Sequence, residues 1–336
     1  VGGSGTAVER RQGEVAEELR WILEAMVDTT LFDPSVPTAE ARAAADEMWR
    51  SAAPMIQAAA PEGGDVVDHR IPVAGAEIPA RLYRPAAQVS DGCHVYFHGG
   101  AYWLGSIDQD DNRCRWLAAS SGVPVLSVGY RLAPEQPCPT PVEDCIASVQ
   151  WVRDHAEVLG INPDKVSVGG ESAGGHAAAM TALYYADLAE SDAAPGLLAQ
   201  VLNIPLVDFT DPVIYATDHD SRCTPSGKDS VVMRDLFFGD GPDEEALVAM
   251  SPARLRVDHL PPTYLISAQF DLFRDQDLAH AARLAAAGVE VSTHHAPDLF
   301  HGAAGLTALS DSSRRCELVH ATFVRRAHAD GGFRPA

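Results

Sequence analysis

Apolar positions fall into two regimes along this chain. Up to about residue 60 they recur at helical spacing. Val15, Leu19, Ile22, Leu23 and Met26 share one face, with Glu and Arg between them, and predict a helix over about 8–27. Pro34 and Pro37 break the pattern. Thr38-Ala39-Glu40 opens a second helix reaching about residue 53, and Pro54 and Pro61-Glu62-Gly63-Gly64 mark its exit. From Asp65 onward short apolar runs take over. Those at 66–73 and 78–83 flank a turn at Gly75 and read as an antiparallel pair. Further strands are predicted at 94–97, 123–130, 166–168, 198–207, 263–270 and 289–295. Helices are predicted at 112–120, 142–159, from 177 onward, at 275–287 and at 312–329. Residues 209–260 lose this rhythm: they hold Pro212, Pro225, Pro242, Pro252 and a single apolar patch at 231–238, and read as an insertion. Strands alternating with helices after residue 123 predict a mostly parallel sheet covered on both faces.

The strand at 166–168 ends in Gly170-Glu171-Ser172-Ala173-Gly174, and a helix follows. A serine hydroxyl is a poor nucleophile unless it is held exposed beside a base. A sharp strand-to-helix turn holds it so, and needs small neighbours, which glycine supplies on both sides of Ser172. The pentapeptide alone is equally a Gly-rich turn, but other chemistry falls at strand ends too, where ligands sit in an open α/β sheet. His98-Gly99-Gly100-Ala101 follows one strand and offers backbone N–H groups to an oxyanion, with Ala101 in the place of a third glycine. Asp208 and Asp271 each follow a strand and compete for the role of the acid. Six histidines lie beyond Asp271. His301, in the loop after the last strand, is the favoured base, with His295 second. His280, His320 and His328 fall in predicted helices, where exposure is the plain expectation.

Charge narrows the partners. The formal net charge is −22, and only Lys165 and Lys228 among the 25 basic residues are lysine. Such a surface repels nucleic acid and anionic membranes and favours neutral or cationic small molecules. No run approaches the ~20 apolar residues of a membrane helix. The start of the chain has no apolar stretch of a secretory leader, so the six cysteines, none in C-x-x-C spacing, are expected as free thiols in the cytoplasm. His294-His295 is the one histidine pair, without matching Cys or Asp/Glu ligands, and no metal site is expected.

Several motifs recur together: H-G-G-A-Y-W-L-G at 98–105, Y-R-L-A-P-E at 130–135, P-V-E-D at 141–144, G-E-S-A-G at 170–174, D-L-F-R-D at 271–275 and H-G at 301–302. In that order they resemble the hormone-sensitive-lipase-like family of carboxylesterases over about residues 65–330. The resemblance implies an α/β-hydrolase fold: an eight-stranded, mostly parallel sheet with helices on both faces and a helical cap. Residues 1–60 would be N-terminal cap helices and 61–336 the core, with a cap insertion at about 208–255. It also implies ester hydrolysis through an acyl-enzyme, without metal or organic cofactor. Ser172 would be nucleophile, His301 base and Asp271 acid, favoured over Asp208 by its D-x-x-R-D context. The amides of Gly99, Gly100, Ala101 and Ala173 would form the oxyanion hole. Two departures stand out: Ala101 for glycine, and Glu171 where the family more often has Asp.

Tyr102, Trp103, Phe209, Leu299 and Phe300 lie near the site by sequence and are candidates to line the substrate pocket. Their crowding predicts short acyl groups, from acetate to hexanoate. The expected partner is a small-molecule ester, with a homodimer left open. The alternatives are an amide or N-acetyl hydrolase, or a non-hydrolytic binding protein or lyase on the same fold. The presence of all three triad residues favours hydrolysis.

Overall fold

The structure, a computed structural model, describes residues 11–27, 38–216, 222–239 and 241–329. Eight strands form one sheet: β1 (Asp65–Val73), β2 (Ala76–Arg84), β3 (Cys93–Phe97), β4 (Val125–Val128), β5 (Val166–Glu171), β6 (Gln200–Asn203), β7 (Thr263–Phe270) and β8 (Val291–Phe300). Their order is β1-β2-β4-β3-β5-β6-β7-β8. β1 and β2 are a hairpin around Gly75, β2 runs antiparallel to β4, and every later pairing is parallel. The helices are α1 (Arg20–Val27), α2 (Thr38–Ile56), α3 (Asp111–Ser121), α4 (Thr140–Asp154), α5 (Ala156–Leu159), α6 (Ala173–Glu190), α7 (Gly227–Phe238), α8 (Glu244–Ala249), α9 (Arg274–Ala286) and α10 (Asp311–Ala327). No helix of the described residues is long and apolar enough to cross a membrane.

Alternation along the strands feeds two cores. Val95, Phe97, Val168 and Leu265 point to one face and pack with α4, α6 and α9, whereas Tyr96, Val201, Tyr264 and Ile266 point to the other and pack with α3 and α10. Each central strand is apolar on both sides because both sides are covered. The parallel strands all deliver their carboxyl ends to one edge, and the glycine loop, Ser172, Asp271 and His301 leave from there.

Four predicted elements differ in extent. The first helix shrinks to a short turn at Glu17–Leu19 followed by α1; residues 8–10 of the prediction lie outside the described set. The strand at 123–130 keeps only Val125–Val128. The strand at 198–207 stops at Asn203 because Ile204 has φ +41, a value incompatible with extended backbone. The last strand runs on from the predicted 295 to Phe300, through Pro297. A proline is tolerated there because β8 is the sheet edge, where one side of the strand donates to no neighbour. His301 is therefore the first residue beyond a strand, not a mid-loop residue.

The helix histidines also depart from expectation. His280, His320 and His328 are buried, as are His94, His98 and His176. His320 sits between Cys316 and Val324 on the buried stripe of α10, a helical spacing that marks it as inward. His94 Nδ1 and His328 Nε2 each lie 2.8 Å from Ser167 Oγ. Burial pulls all six below their ordinary pKa: His176, His280 and His328 to about 4 and His320 to about 3.

The unfolded chain then binds more protons than the folded one as pH falls from 6.5 towards 4, so stability is lost over that window. The buried carboxyls of Asp277 and Glu317, whose pKa values burial raises, titrate in the opposite sense and offset two of the six. With more buried groups shifted in this sense than against it, acid is net destabilising over this window. Urea unfolding at pH 7.0 and 5.5 should show this fall; equal midpoints at the two pH values would contradict it.

Candidate active site

Ser172 stands between β5 and α6 with φ 55° and ψ −116°. Such a conformation costs an ordinary residue ~1–3 kcal/mol and persists only when its surroundings dictate it. They do: the Ser172 amide donates to Asn203 O at 2.9 Å, and the turn is pressed under the end of β3. A Cβ at Gly174 would lie 2.0 Å from Phe97 O, and one at Gly170 2.4 Å from the same atom. Glycine at both positions is thus a steric demand. The N-terminus of the 18-residue α6 begins at Ala173, so its free amides and dipole bear on the serine.

His301 Nε2 lies 2.8 Å from Ser172 Oγ, and His301 Nδ1 lies 2.7 Å from Asp271 Oδ2. Asp271 is fully buried, and its other oxygen accepts from Phe273 N at 2.8 Å. An ionised Asp271 accepts only, so Nδ1 carries the proton and Nε2 is left to accept from the serine hydroxyl. Burial alone would depress the His301 pKa. The charge and hydrogen bond of Asp271, with the charge of Glu171, outweigh it and raise the pKa above 6.5. The imidazolium is stabilised in the place where proton transfer from serine would create it.

The competing residues are engaged elsewhere. Asp208 accepts from Thr210 N at 2.9 Å and Thr210 Oγ1 at 2.6 Å and pairs with Arg254 at 2.9 Å. His295 is bonded to Ser267 and Gln269. The structure brings Ser172, His301 and Asp271 together, and neither Asp208 nor His295.

The loop after β3 carries three successive positive φ angles: Gly100 112°, Ala101 55° and Tyr102 64°. Trp103 and Leu104 both donate to Gly100 O, at 3.1 and 2.8 Å. A Cβ on Gly100 would meet Leu104 O at 2.3 Å, so that glycine is required, whereas Ala101 holds its left-handed backbone with a Cβ. Among the described residues, the amides of Gly99, Gly100, Ala101 and Ala173 donate to no backbone carbonyl outside the helices and strands. They are available to an oxyanion beside Ser172. His98 is stacked on Tyr130 and donates through Nδ1 to Gly99 O at 2.7 Å, bracing the loop from behind.

A cavity of about 250 Å³ opens over Ser172 and His301, with Gly99, Gly100 and Trp103 on one wall and Trp49 and Met233 on others. A second recess, of about 10 Å³ and also bordered by Ser172, is walled by Tyr102, Leu206, Phe209 and Phe237. Trp103, Tyr102 and Phe209 therefore border the site. Leu299 and Phe300 do not: they lie at the end of β8, fully buried in the core on the α10 side, and line neither space. Their misplacement follows from reading the end of β8 as loop. Residues the sequence reading passed over are Trp49 of α2, which carried no site signal in a plain helical pattern, and Phe237, one of the apolar patch at 231–238.

Glu171 forms an ion pair of 2.8 Å with the buried Arg113 and accepts from Asn203 Nδ2 at 2.9 Å. Arg113 also reaches Glu317 at 2.9 Å. Arg113 and Glu171 of this network line the cavity, and the charge of Glu171 is one of the causes that raise the His301 pKa.

The six cysteines form no disulfide. Although no ligand spacing was legible, α6 and the segment before β7 bring Asp187, Glu190 and His259 within 4.8 Å of one another. Arg256 already holds both oxygens of Glu190, at 2.7 and 2.8 Å, and His259 Nε2 lies 2.8 Å from Asp187. The group is a set of closed ion pairs on the surface, apart from the residues that surround Ser172.

Known proteins resemble this chain in sequence and fold. Residues 94–305 match the family model described as the alpha/beta hydrolase fold. The chain is 34% identical over 251 residues to carboxylic ester hydrolase LipN of Mycobacterium tuberculosis, covering 74% of this chain and 67% of that protein. It is 34% identical over 244 residues to the arylesterase of Saccharolobus solfataricus, covering 67% of this chain and 72% of that protein. Among solved structures, the carboxylesterase EstE1 from a metagenomic library superimposes with a TM-score of 0.79 at 29% identity, over 88% of this chain and 99% of that one. The hyperthermophilic esterase of Pyrobaculum calidifontis does so with a TM-score of 0.80 at 28% identity, over 93% and 98%.

Proposed function

The chain belongs to the hormone-sensitive-lipase-like carboxylesterases of the α/β-hydrolase fold, and on that footing we propose that Ser172, His301 and Asp271 hydrolyse small carboxylic esters through an acyl-enzyme. The observation that carries the assignment is the unbroken path from Ser172 Oγ through both nitrogens of His301 to Asp271, with steps of 2.8 and 2.7 Å.

In the first half-reaction His301 Nε2 takes the hydroxyl proton as Ser172 Oγ attacks the ester carbonyl. The carbonyl oxygen, now negative, turns towards the amides of Gly100, Ala101 and Ala173, with Gly99 shaping the approach. His301 then gives its proton to the departing alkoxide, and the acyl group remains on Ser172. In the second half-reaction His301 Nε2 takes a proton from water as its oxygen attacks the acyl carbon; the bond to Ser172 Oγ then breaks, His301 returns the proton to Oγ, and the acid leaves. Asp271 keeps the Nδ1 proton in place throughout and stabilises the imidazolium twice per turnover. Because the base must be neutral, the acid limb of kcat/KM lies above pH 6.5, where the raised His301 pKa puts it.

We assign the acyl group to the small recess and the alcohol to the larger cavity. The recess holds about 10 Å³, room for roughly one water or methyl group. A ring stack closes it: Tyr102 lies on Phe237 at 4.2 Å between centroids, and Phe237 on Phe209 at 5.7 Å. With p-nitrophenyl esters, kcat/KM is expected to be highest between acetate and butyrate. Each surplus methylene then costs up to ~1–3 kcal/mol of transition-state binding. Phe237→Ala should shift the maximum to longer chains. A wild-type maximum at decanoate, or a Phe237→Ala profile identical to wild type, would refute the assignment.

A further inference from the structure

Helix α2 is bonded to the loop that carries the oxyanion amides. Arg42 Nε donates to Trp103 O at 2.8 Å, and Arg42 Nη2 donates to Ala133 O at 3.0 Å. The same guanidinium holds both carboxylate oxygens of Glu135, at 3.2 and 2.9 Å. Ala133 N in turn donates to Tyr102 O at 2.8 Å. The carbonyls of Tyr102 and Trp103 are thus both fixed from one place, Tyr102 through Ala133 and Trp103 directly. These residues adjoin Ala101, and Ala101 and Tyr102 are the two non-glycine residues of the loop with left-handed backbone.

The remaining restraint on Tyr102 comes from its side chain, which lies 2.5 Å from His176 Nδ1 and stacks on Phe237. A second tether fixes α2 further along, where Trp49 Nε1 donates to Gln109 O at 3.1 Å. Trp49 and Trp103 both line the main cavity.

We propose that Arg42 is a positioning residue for ester hydrolysis: through Trp103 O and Ala133 it holds the backbone of Ala101 and Tyr102 in the left-handed conformation that aims the Gly100 and Ala101 amides at the oxyanion. The assignment rests on the serine-hydrolase reading above. Three acceptor groups from two loops meet one planar fork with donors on two edges, which a guanidinium satisfies at once and an ammonium cannot. Conformations of this kind relax when their restraints are removed. A relaxed loop leaves substrate room and cavity intact but moves the donors, and misplacement of about 1 Å can cost ~10²-fold in rate. The loss should therefore fall on kcat and spare KM.

The test compares wild type with Arg42→Ala, Arg42→Lys and Arg42→Gln on p-nitrophenyl acetate, together with the inhibition constant of methylboronic acid. A boronate bound to serine is tetrahedral and anionic and reads the oxyanion site directly. Arg42→Ala is expected to lower kcat by about 10–100-fold with KM changed less than about threefold, and to weaken boronate binding by a similar factor to kcat. Arg42→Lys should recover only part of the loss, and millimolar methylguanidinium should restore turnover to Arg42→Ala without accelerating wild type. If Arg42→Ala fails to fold, Arg42→Gln and Arg42→Lys give the same readouts. Wild-type kcat in the variants, a loss confined to KM, or unchanged boronate binding would overturn the role of Arg42 while ester hydrolysis by the wild type stood. An inactive wild type would instead remove the reading beneath it.

Discussion

Ser172→Ala is expected to lower ester turnover by about 10⁶-fold while leaving the protein folded. The loss is so large because the triad acts as a unit. Without Oγ there is no acyl acceptor, and His301 and Asp271 have nothing to activate. What remains is the binding of the substrate and the oxyanion amides, without a covalent intermediate. Stability should change little. Alanine matches serine in bulk apart from the hydroxyl, and the strain at φ 55° is imposed by the elbow glycines and the Asn203 contact, which the variant keeps. A fluorophosphonate should add one label to the wild type, mapped to the peptide containing Ser172, and none to the variant. Unimpaired turnover, or a label on another serine, would end the assignment of the nucleophile.

The second large effect is at the acid. Asp271→Asn should cost about 10⁴-fold in kcat, and the hydrogen bonds show how. Phe273 N donates to Asp271 Oδ1, so an asparagine there keeps its carbonyl oxygen on that amide and turns its NH₂ towards His301 Nδ1. The imidazole must then accept at Nδ1 and carry its proton on Nε2, facing Ser172 with a donor where a base is required. Asp208→Asn should reduce kcat by less than about tenfold, because its carboxylate serves Thr210 and Arg254 and loses mainly local order. Stopped assays on both variants at pH 8 decide the matter. A reversed ranking would move the acid to Asp208 and leave the nucleophile untouched.

Much of this site was visible before any coordinates. The glycines around Ser172 and at Gly99-Gly100 are readable because backbone crowding admits no other residue, and crowding leaves its mark in one place in the chain. Asp271 and His301 were readable because parallel strands end at a common edge. The walls of the pocket were less so. Phe300 and Phe237 look alike in sequence, yet one fills the core and the other closes the recess, and the difference lies in where β8 stops. Arg42 gave no signal, since two of its acceptors are backbone carbonyls 61 and 91 residues away, which any residue type supplies, and the third is the carboxylate of Glu135, in no pattern with it. The buried histidines were misread because imidazole counts as polar in a periodicity, although neutral imidazole packs inside a helix bundle when its neighbours let it.

Those histidines and the catalytic one respond to acid in opposite directions, which sets an order of failure. His301, with its pKa raised by Asp271 and Glu171, takes a proton early in a fall of pH. The stability that rests on the six neutral imidazoles of the interior begins to fall only as pH passes below 6.5, where the unfolded chain starts to take protons that the folded one refuses. Between the two events lies an interval in which the molecule is intact but silent, its nucleophile facing an imidazolium that cannot accept. With His301 as the proposed base, mild acidification is therefore expected to park the enzyme, and neutralisation to return it to work with no refolding step; deeper acid should cross into unfolding, from which recovery depends on the whole chain finding its sheet again.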